Sequence, residues 1–197
     1  MRIIDLASHL DNVGTSTVAN TEVGSFNVWG NSYAGEDLPA PGSDVMIDAV
    51  RFRLPPLGGA GPDNVRCAGQ YLELEAHDGL DDWLYVLASA ERRVEDEVAL
   101  HFADGAVDFE PLRVSDFWAA PPVFGETKAF ETLMHYPHHA QFGVPAVIWC
   151  QRVAVTRRAP LVGIGLPRNV ALHIFAATLR PATPPSARLE PAAGNTR

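Results

Sequence analysis

Apolar and polar residues alternate along most of the chain with a period of two, which is typical of β-strands. Val50, Phe52 and Leu54 alternate with Arg51 and Arg53, and this spacing predicts a strand with one solvated face. The same pattern recurs in segments 65–74, 98–102, 107–110, 129–136, 147–155, 161–167 and 169–179. Together with a short apolar segment at residues 2–7, the pattern predicts about ten strands.

Residues 82–90 depart from strict alternation because they are apolar at nearly every position. Such a segment is either a central strand covered on both faces or a short buried helix. Its content of Trp, Tyr and Val favours the strand.

Faces can be assigned on two of the predicted strands. A turn at residues 103–105 contains Asp-Gly and predicts a hairpin, on whose returning strand Val107 and Phe109 lie opposite two acidic residues. In the last strand, alternation predicts one shared apolar face, made of Val170, Leu172, Ile174 and Ala176.

Two long segments interrupt the strands. Residues 26–44 are rich in Gly, Pro, Asn and Asp, and residues 115–126 are aromatic and broken by prolines. Such composition favours irregular loops. In the first loop we expect Phe26, Trp29 and Tyr33 to hold the chain against the sandwich.

No segment suits a long amphipathic helix, and no internal repeat is present. The pattern therefore predicts an all-β protein, a two-sheet antiparallel β-sandwich of jelly-roll type. We expect one domain over residues 1–179. Residues 180–197 contain several prolines and few apolar side chains, and we expect this tail to be disordered.

Charge and cysteine content narrow the class of partner. The chain of 197 residues has a formal net charge of −9, which disfavours nucleic acid and anionic membranes because both require a cationic surface. The N-terminal segment carries Asp5 and Asp11 where a secretory signal would be apolar, so we expect a cytoplasmic protein. Its two cysteines, Cys67 and Cys150, are then expected to be reduced and buried.

Several motifs occur in an order that resembles the accessory β-sandwich modules of bacterial glycoside hydrolases, especially fucosidase-like enzymes. These motifs are DLASHLDNVGTS, FNVWGNSYAGEDLP, DNVRCAGQYLEL, LHFADG, SDFW and GLPRNVALHIFAATL. The resemblance covers residues 3–179. It implies a jelly-roll sandwich of the carbohydrate-binding kind, standing here without a hydrolase domain, and it transfers no catalytic residue.

The candidate chemistry concentrates in residues 133–151, which we interpret as a strand, a Pro-bent loop and a core strand. His135, His138 and His139 could act as acid or base if Asp116 or Glu131 orients one of them. The same histidines could ligate zinc, but their spacing matches no established zinc motif. We therefore predict no metal site and no cofactor, and ordinary loop histidines remain the simplest interpretation.

A binding function requires aromatic walls and a few planar polar side chains. The chain offers such a set in Trp29, Asn31, Tyr33, Arg66, Trp118, Tyr136, Trp149 and Gln151. We expect these residues to line a cleft between segments 26–39, 115–124 and 133–151. The pairs Asp11-Asn12, Asp63-Asn64 and Asp81-Asp82 could offer oxygen ligands to calcium, although Asp and Asn are also common turn residues.

The sequence is therefore compatible with three functions. The first is binding of a small polar or carbohydrate-like ligand in a cleft of the sandwich. The second is a small lyase, cyclase or hydrolase acting on a sugar or metabolite through a histidine and a carboxylate, so the sequence leaves open whether the protein is an enzyme. The third is a structural or oligomerisation domain, and a homo-oligomer is compatible with either of the others.

Overall fold

The structure is a computed structural model that describes residues 1–59, 61–118 and 121–183. Within these ranges the protein is built from fourteen β-strands. They are β1 Arg2–Ile4, β2 Thr15–Ser16, β3 Ser32–Ala34, β4 Asp44–Ile47, β5 Val50–Arg53, β6 Val65–Arg66, β7 Tyr71–Glu73, β8 Asp81–Ala90, β9 Val94–Phe102, β10 Val107–Val114, β11 Thr127–Tyr136, β12 His139–Ala154, β13 Leu161–Gly165 and β14 Leu172–Pro181.

Helical structure in the described residues is limited to three short 3-10 turns. They are Ala7–His9, Thr21–Val23 and Gly35–Asp37. None of the described helices is long and apolar enough to cross a membrane.

The strands form two main sheets and one hairpin. The larger sheet has the order β1-β14-β8-β12-β11-β3-β2, with β6 paired to β14, and the smaller sheet has the order β10-β9-β13-β7. Strands β4 and β5 pair only with each other. This arrangement confirms the predicted all-β sandwich.

The main hydrophobic core lies between the two sheets. Alternate residues of β8 and β12 supply one side of it, and β9, β10 and β13 supply the other. Trp149 is 1% exposed and is among the largest side chains in this core. As the period-two pattern predicts, Val147, Val153 and Val155 lie in the same core.

A second hydrophobic core covers the opposite face of the larger sheet. There the β4–β5 hairpin and the loop around Phe26 pack on Tyr85, Leu87 and Phe175. Because β8 contributes Leu84, Val86 and Ala88 to the first core and Tyr85 and Leu87 to the second, it is covered on both faces. The prediction of a central strand at residues 82–90 is confirmed.

The prediction of a Pro-bent loop over residues 137–145 is wrong. Strands β11 and β12 form a hairpin whose last pair is Tyr136 with His139, so Pro137 and His138 alone make the turn. His138 has a φ of 79°, as the third position of a type II turn requires. The register then shifts, and Phe142–Val144 form a bulge between the pairs Met134–Gln141 and Leu133–Pro145.

The face predicted on β10 is confirmed, because Val107 and Phe109 are both exposed whereas Asp108 and Glu110 are half-buried. These two apolar side chains lie on the solvent face of the smaller sheet. The face predicted on β14 is wrong. In β14 the register shifts between Ile174 and Ala176. As a result, Ile174 packs in the first core and Ala176 in the second, while Val170 is exposed.

The ends of the predicted domain also differ in detail. Strand β14 continues to Pro181, and the backbone N–H of Ala182 donates to the carbonyl of Leu80. The first residues of the expected disordered tail, 180–182, are therefore ordered, and its residues 184–197 are outside the described part of the chain.

Candidate functional site: a polar cleft at the edge of strand β12

A polar cleft of about 460 Å³ opens where the edge of β12 is not covered by β11. The pairing between these strands begins only at Thr127 with Cys150. Beyond Cys150, β12 keeps its pairing with β8 and presents its other edge to the cleft. The residues lining this polar cleft are Trp83, Pro111, Arg113, Val123, Phe124, Gly125, Gln151 and Arg152.

Gln151 closes the floor of the polar cleft by joining the two sheets. Its side-chain nitrogen donates to the backbone carbonyl of Arg113 on β10 at 2.7 Å. Its side-chain oxygen accepts from the backbone N–H of Arg152 at 2.8 Å. The carboxamide is therefore held in one orientation by strands from both sheets.

Two arginines and an aromatic ring give the polar cleft its chemical character. The guanidinium of Arg152 lies 4.6 Å from the centre of the Trp83 ring, a cation–π distance. Arg180 lies over the same ring at 6.0 Å. Arg113 is 3.7 Å from the carboxylate of Glu95, whereas no carboxylate of the described residues forms an ion pair with Arg152.

The loop that overhangs the polar cleft is fastened at its base by one buried carboxylate. Glu126 is 4% exposed, and its two oxygens accept from the backbone N–H groups of Ser115 and Phe124 at 2.7 and 2.9 Å. The hydroxyl of Ser115 also accepts from the N–H of Val123 at 2.8 Å. These bonds hold Phe124 at the rim.

The predicted histidines do not converge. His135 is 2% exposed, and its Nδ1 is 2.8 Å from the hydroxyl of Ser16, which in turn contacts Ser32. His138 lies at the exposed turn, with Nδ1 2.7 Å from Glu22. His139 stacks on Tyr136 with ring centres 5.3 Å apart and is 3.3 Å from Gln141.

The predicted carboxylate partners are engaged elsewhere. Glu131 pairs with Lys128 on the surface. Asp116 accepts from the backbone N–H of Trp118 at 3.1 Å, and burial raises the pKa of this carboxyl although backbone donors oppose the rise. Among the described residues, neither carboxylate bonds to a predicted histidine. His138 meets a carboxylate, but that of Glu22, and both side chains are exposed.

The three segments expected to form the binding cleft do meet, but around a void of about 140 Å³ with no room for a water molecule. Tyr33 and Asn31 line it, and both are buried. Tyr33 bonds to Ser89, and burial holds its pKa well above the ordinary value. Asn31 donates to the sulfur of Met134 at 3.0 Å. The three segments therefore pack together as part of the core, and the prediction of a binding cleft between them is wrong.

The other predicted binding residues are dispersed. Trp149 donates its indole N–H to the backbone carbonyl of Asp116 at 2.9 Å inside the core. Trp29 is 60% exposed and Trp118 42% exposed, so Trp29 does not fasten its loop as predicted. Arg66 donates to the carbonyl of Val170 at 3.1 Å. Of the predicted set, only Gln151 lines the polar cleft.

The proposed calcium ligands also have other partners. Asp63 is fully buried and accepts from the N–H groups of Gly14 and Thr15 at 2.8 and 2.9 Å, and from Asn64 at 2.7 Å. Asp81 pairs with Arg2. No group of three potential metal ligands occurs in the part of the chain that the structure describes.

The two cysteines are buried free thiols, as the sequence predicts. Burial raises the pKa of the Cys150 thiol to about 12 and that of Cys67 further. Both side chains therefore remain protonated and unreactive at neutral pH.

Of the eight residues that line the polar cleft, sequence reasoning missed seven, among them Trp83, Arg113, Phe124 and Arg152. One signal was present, because Gln151 and Arg152 interrupt the apolar run VIWCQRVAV of residues 147–155. A polar pair inside such a run indicates either a strand edge or a site. The choice between the two depends on where β11 begins to pair with β12.

Taken together, the fold and the cleft define a β-sandwich domain with a polar, arginine-lined recess. A family model matches residues 1–183, and the chain belongs to the family of AziU2-like β-sandwich domains. The chain has no match among curated proteins.

Proposed function

We propose that the protein binds a small polar, carbohydrate-like ligand that carries a carboxylate, and that it does so in the polar cleft. The observation that supports this function most directly is the meeting of Arg113, Arg152 and the fixed carboxamide of Gln151 beside the Trp83 ring. Arginine forks match carboxylates. Aromatic faces and planar amides suit the C–H and hydroxyl groups of a sugar.

The charge of the cleft argues for an acidic rather than a neutral sugar. The chain as a whole has a net charge of −9, yet the arginines Arg113, Arg152 and Arg180 lie at or beside this recess. A local cationic site attracts an anion, while the negative charge on the rest of an acidic protein disfavours anion binding elsewhere on the surface. The volume of about 460 Å³ is within the range of small-molecule sites.

The experiment is a calorimetric titration with D-glucuronate, D-galacturonate and D-glucose. We expect the two uronates to bind and glucose to bind at least several-fold more weakly. Arg152→Gln should weaken uronate binding several-fold, because an exposed arginine contributes a modest, salt-dependent attraction. The matched control is Arg93→Gln, an exposed arginine outside the cleft, which should leave binding unchanged. Equal binding of all three sugars, or none, would contradict the proposal.

The enzyme alternative remains a second proposal, supported by one observation. His138 and Glu22 form a histidine–carboxylate pair at 2.7 Å, and the adjacent His139 stacks on Tyr136. A histidine hydrogen-bonded to a carboxylate is a common arrangement in general acid–base catalysis. The pair lies on an exposed turn without walls, however, and for this reason we favour binding.

Three wider features are proposed with the binding function. A jelly-roll connectivity and a bacterial role beside glycoside hydrolases are supported by the sequence motifs described above. A cytoplasmic location is supported by two buried cysteines that remain unpaired. Nucleic acid and membranes are not proposed as partners, and self-association is compatible with the exposed Phe109 on β10.

A further inference from the structure

A second recess, here called the apolar cleft, lies at the opposite edge of the larger sheet. Its volume is about 360 Å³. Strand β1, the turn after it, the end of β5 and the bulge of β14 form its walls. The lining residues are Ile3, Ile4, Asp5, Leu6, Ala7, Leu10, Arg53, Leu54, Pro55, Pro56, Phe175 and Ala176.

Part of the wall of the apolar cleft offers little for water to bind. Pro55 and Pro56 follow β5 and have no backbone N–H, so this part of the wall lacks donors. On the other side, the register shift of β14 brings Phe175 and Ala176 to the same face of the sheet. A recess with such walls gains free energy when an apolar group replaces water.

Two opposite charges interrupt this apolar lining, Asp5 and Arg53. Asp5 is held in place because its Oδ1 accepts from the backbone N–H of Ala7 at 2.9 Å. Arg53 is held by Asp44, which accepts from Nε at 2.9 Å and from Nη2 at 3.4 Å. The bonds with Asp44 use only part of the guanidinium fork, whose other N–H groups can meet a ligand.

A ligand that complements this recess has an apolar body and a head with both charges. We propose that the apolar cleft binds an apolar α-amino acid, with its ammonium group at Asp5, its carboxylate at Arg53 and its side chain among the apolar residues. A purely anionic ligand would meet Asp5 unpaired, and a purely cationic ligand would meet Arg53. The proposal is independent of the polar cleft, since the two recesses share no lining residue.

The test uses calorimetric titration of the whole chain with L-phenylalanine, 3-phenylpropanoate, phenethylamine and glycine. We expect L-phenylalanine to bind with a dissociation constant on the order of 1 mM, typical of a ligand this small. Each compound that lacks one charge should bind about tenfold more weakly, and glycine should not bind. If the three aromatic compounds bind equally, the cleft recognises only apolar surface and the proposal is overturned. Absence of binding by L-phenylalanine also overturns it.

Variants locate the binding. Ala7→Trp places a large side chain at the rim of the apolar cleft and should abolish binding of L-phenylalanine. Ser8→Trp, on the same 3-10 turn but outside the lining, should leave it unchanged. Asp5→Asn keeps an acceptor for the N–H of Ala7 and should weaken L-phenylalanine about tenfold while leaving 3-phenylpropanoate no weaker.

The variants also separate this proposal from the function of the polar cleft. Arg152→Gln should leave L-phenylalanine binding intact, and Ala7→Trp should leave uronate binding intact. Thermal unfolding of each variant shows whether it folds. If Ala7→Trp is unfolded, Asp5→Asn alone decides the outcome, and loss of 3-phenylpropanoate together with L-phenylalanine would contradict the assigned role of Asp5.

Discussion

Strand β12 carries two regions that look equally functional in sequence but differ in structure. At its beginning, the histidine hairpin of residues 133–145 places His138, His139 and Phe142 on an exposed turn and bulge. At its end, Gln151 and Arg152 line the polar cleft. The hairpin is rich in reactive side chains but convex, whereas the cleft has fewer such groups and holds them together. Convergence, not the number of reactive groups, distinguishes a site from a surface.

The difference arises from how β12 is covered. At the hairpin, β12 is paired with β11 and its polar side chains extend into solvent. At the polar cleft, β11 has not yet begun, so the neighbouring loop and β10 approach the open edge instead. Between the two regions, Trp149 lies in the core. We therefore expect substitutions in the hairpin before Trp149 and substitutions in the polar cleft after it to have different consequences.

The largest effect is expected for Trp149→Ala. We predict a loss of about 3–5 kcal/mol in the free energy of unfolding, because a buried Trp leaves a large cavity and the carbonyl of Asp116 loses its donor. Urea denaturation measures this loss. The control is Trp118→Ala, which removes an exposed ring and should cost about 1 kcal/mol or less. A stable Trp149→Ala variant that loses ligand binding would restore Trp149 as a binding residue.

A smaller effect is expected for His135→Ala. We predict a loss of about 2 kcal/mol in the free energy of unfolding, because the buried hydroxyl of Ser16, which also bonds to Ser32, loses its imidazole partner. The matched control, His139→Ala, removes an exposed imidazole and should change stability by about 0.5 kcal/mol or less. Chemical denaturation of both variants gives the comparison. Equal losses would mean that the hairpin is packed throughout rather than at His135 alone.

The sequence alone predicted much of the architecture. The alternation of β5, the two-sided burial of β8 and the shared face of Val147 and Trp149 follow from local periodicity, since apolar side chains must leave water whatever the topology. Two kinds of feature could not be predicted in this way. One is a change of register, such as the bulges at Phe142 and in β14, which moves side chains to the opposite face.

The other kind is the meeting of distant segments. The bond between Gln151 and the carbonyl of Arg113 joins residues 38 positions apart, and nothing local to either residue indicates it. Similarly, the partner of His135 is Ser16, 119 positions away. The histidines were prominent because they are adjacent in sequence. His138 lies in the turn and His139 begins β12, and their closeness in sequence did not bring the two imidazoles to common partners.

The smallest effect is expected for Gln→Met substitutions, which can be made at both ends of β12. Gln151→Met preserves the size of the side chain but removes its bonds to Arg113 and to the N–H of Arg152, so we expect a loss of about 1 kcal/mol in the free energy of unfolding. Uronate binding should also weaken, because the floor of the polar cleft loses its polar group. Gln141→Met is the matched control, since Gln141 makes only long contacts at the hairpin, 3.3 Å to His139 and 3.5 Å to the carbonyl of Phe142. It should change neither stability nor binding measurably. If Gln141→Met proves the more damaging variant, the hairpin rather than the polar cleft is the organised end of the strand, and the histidine–carboxylate alternative gains the stronger claim.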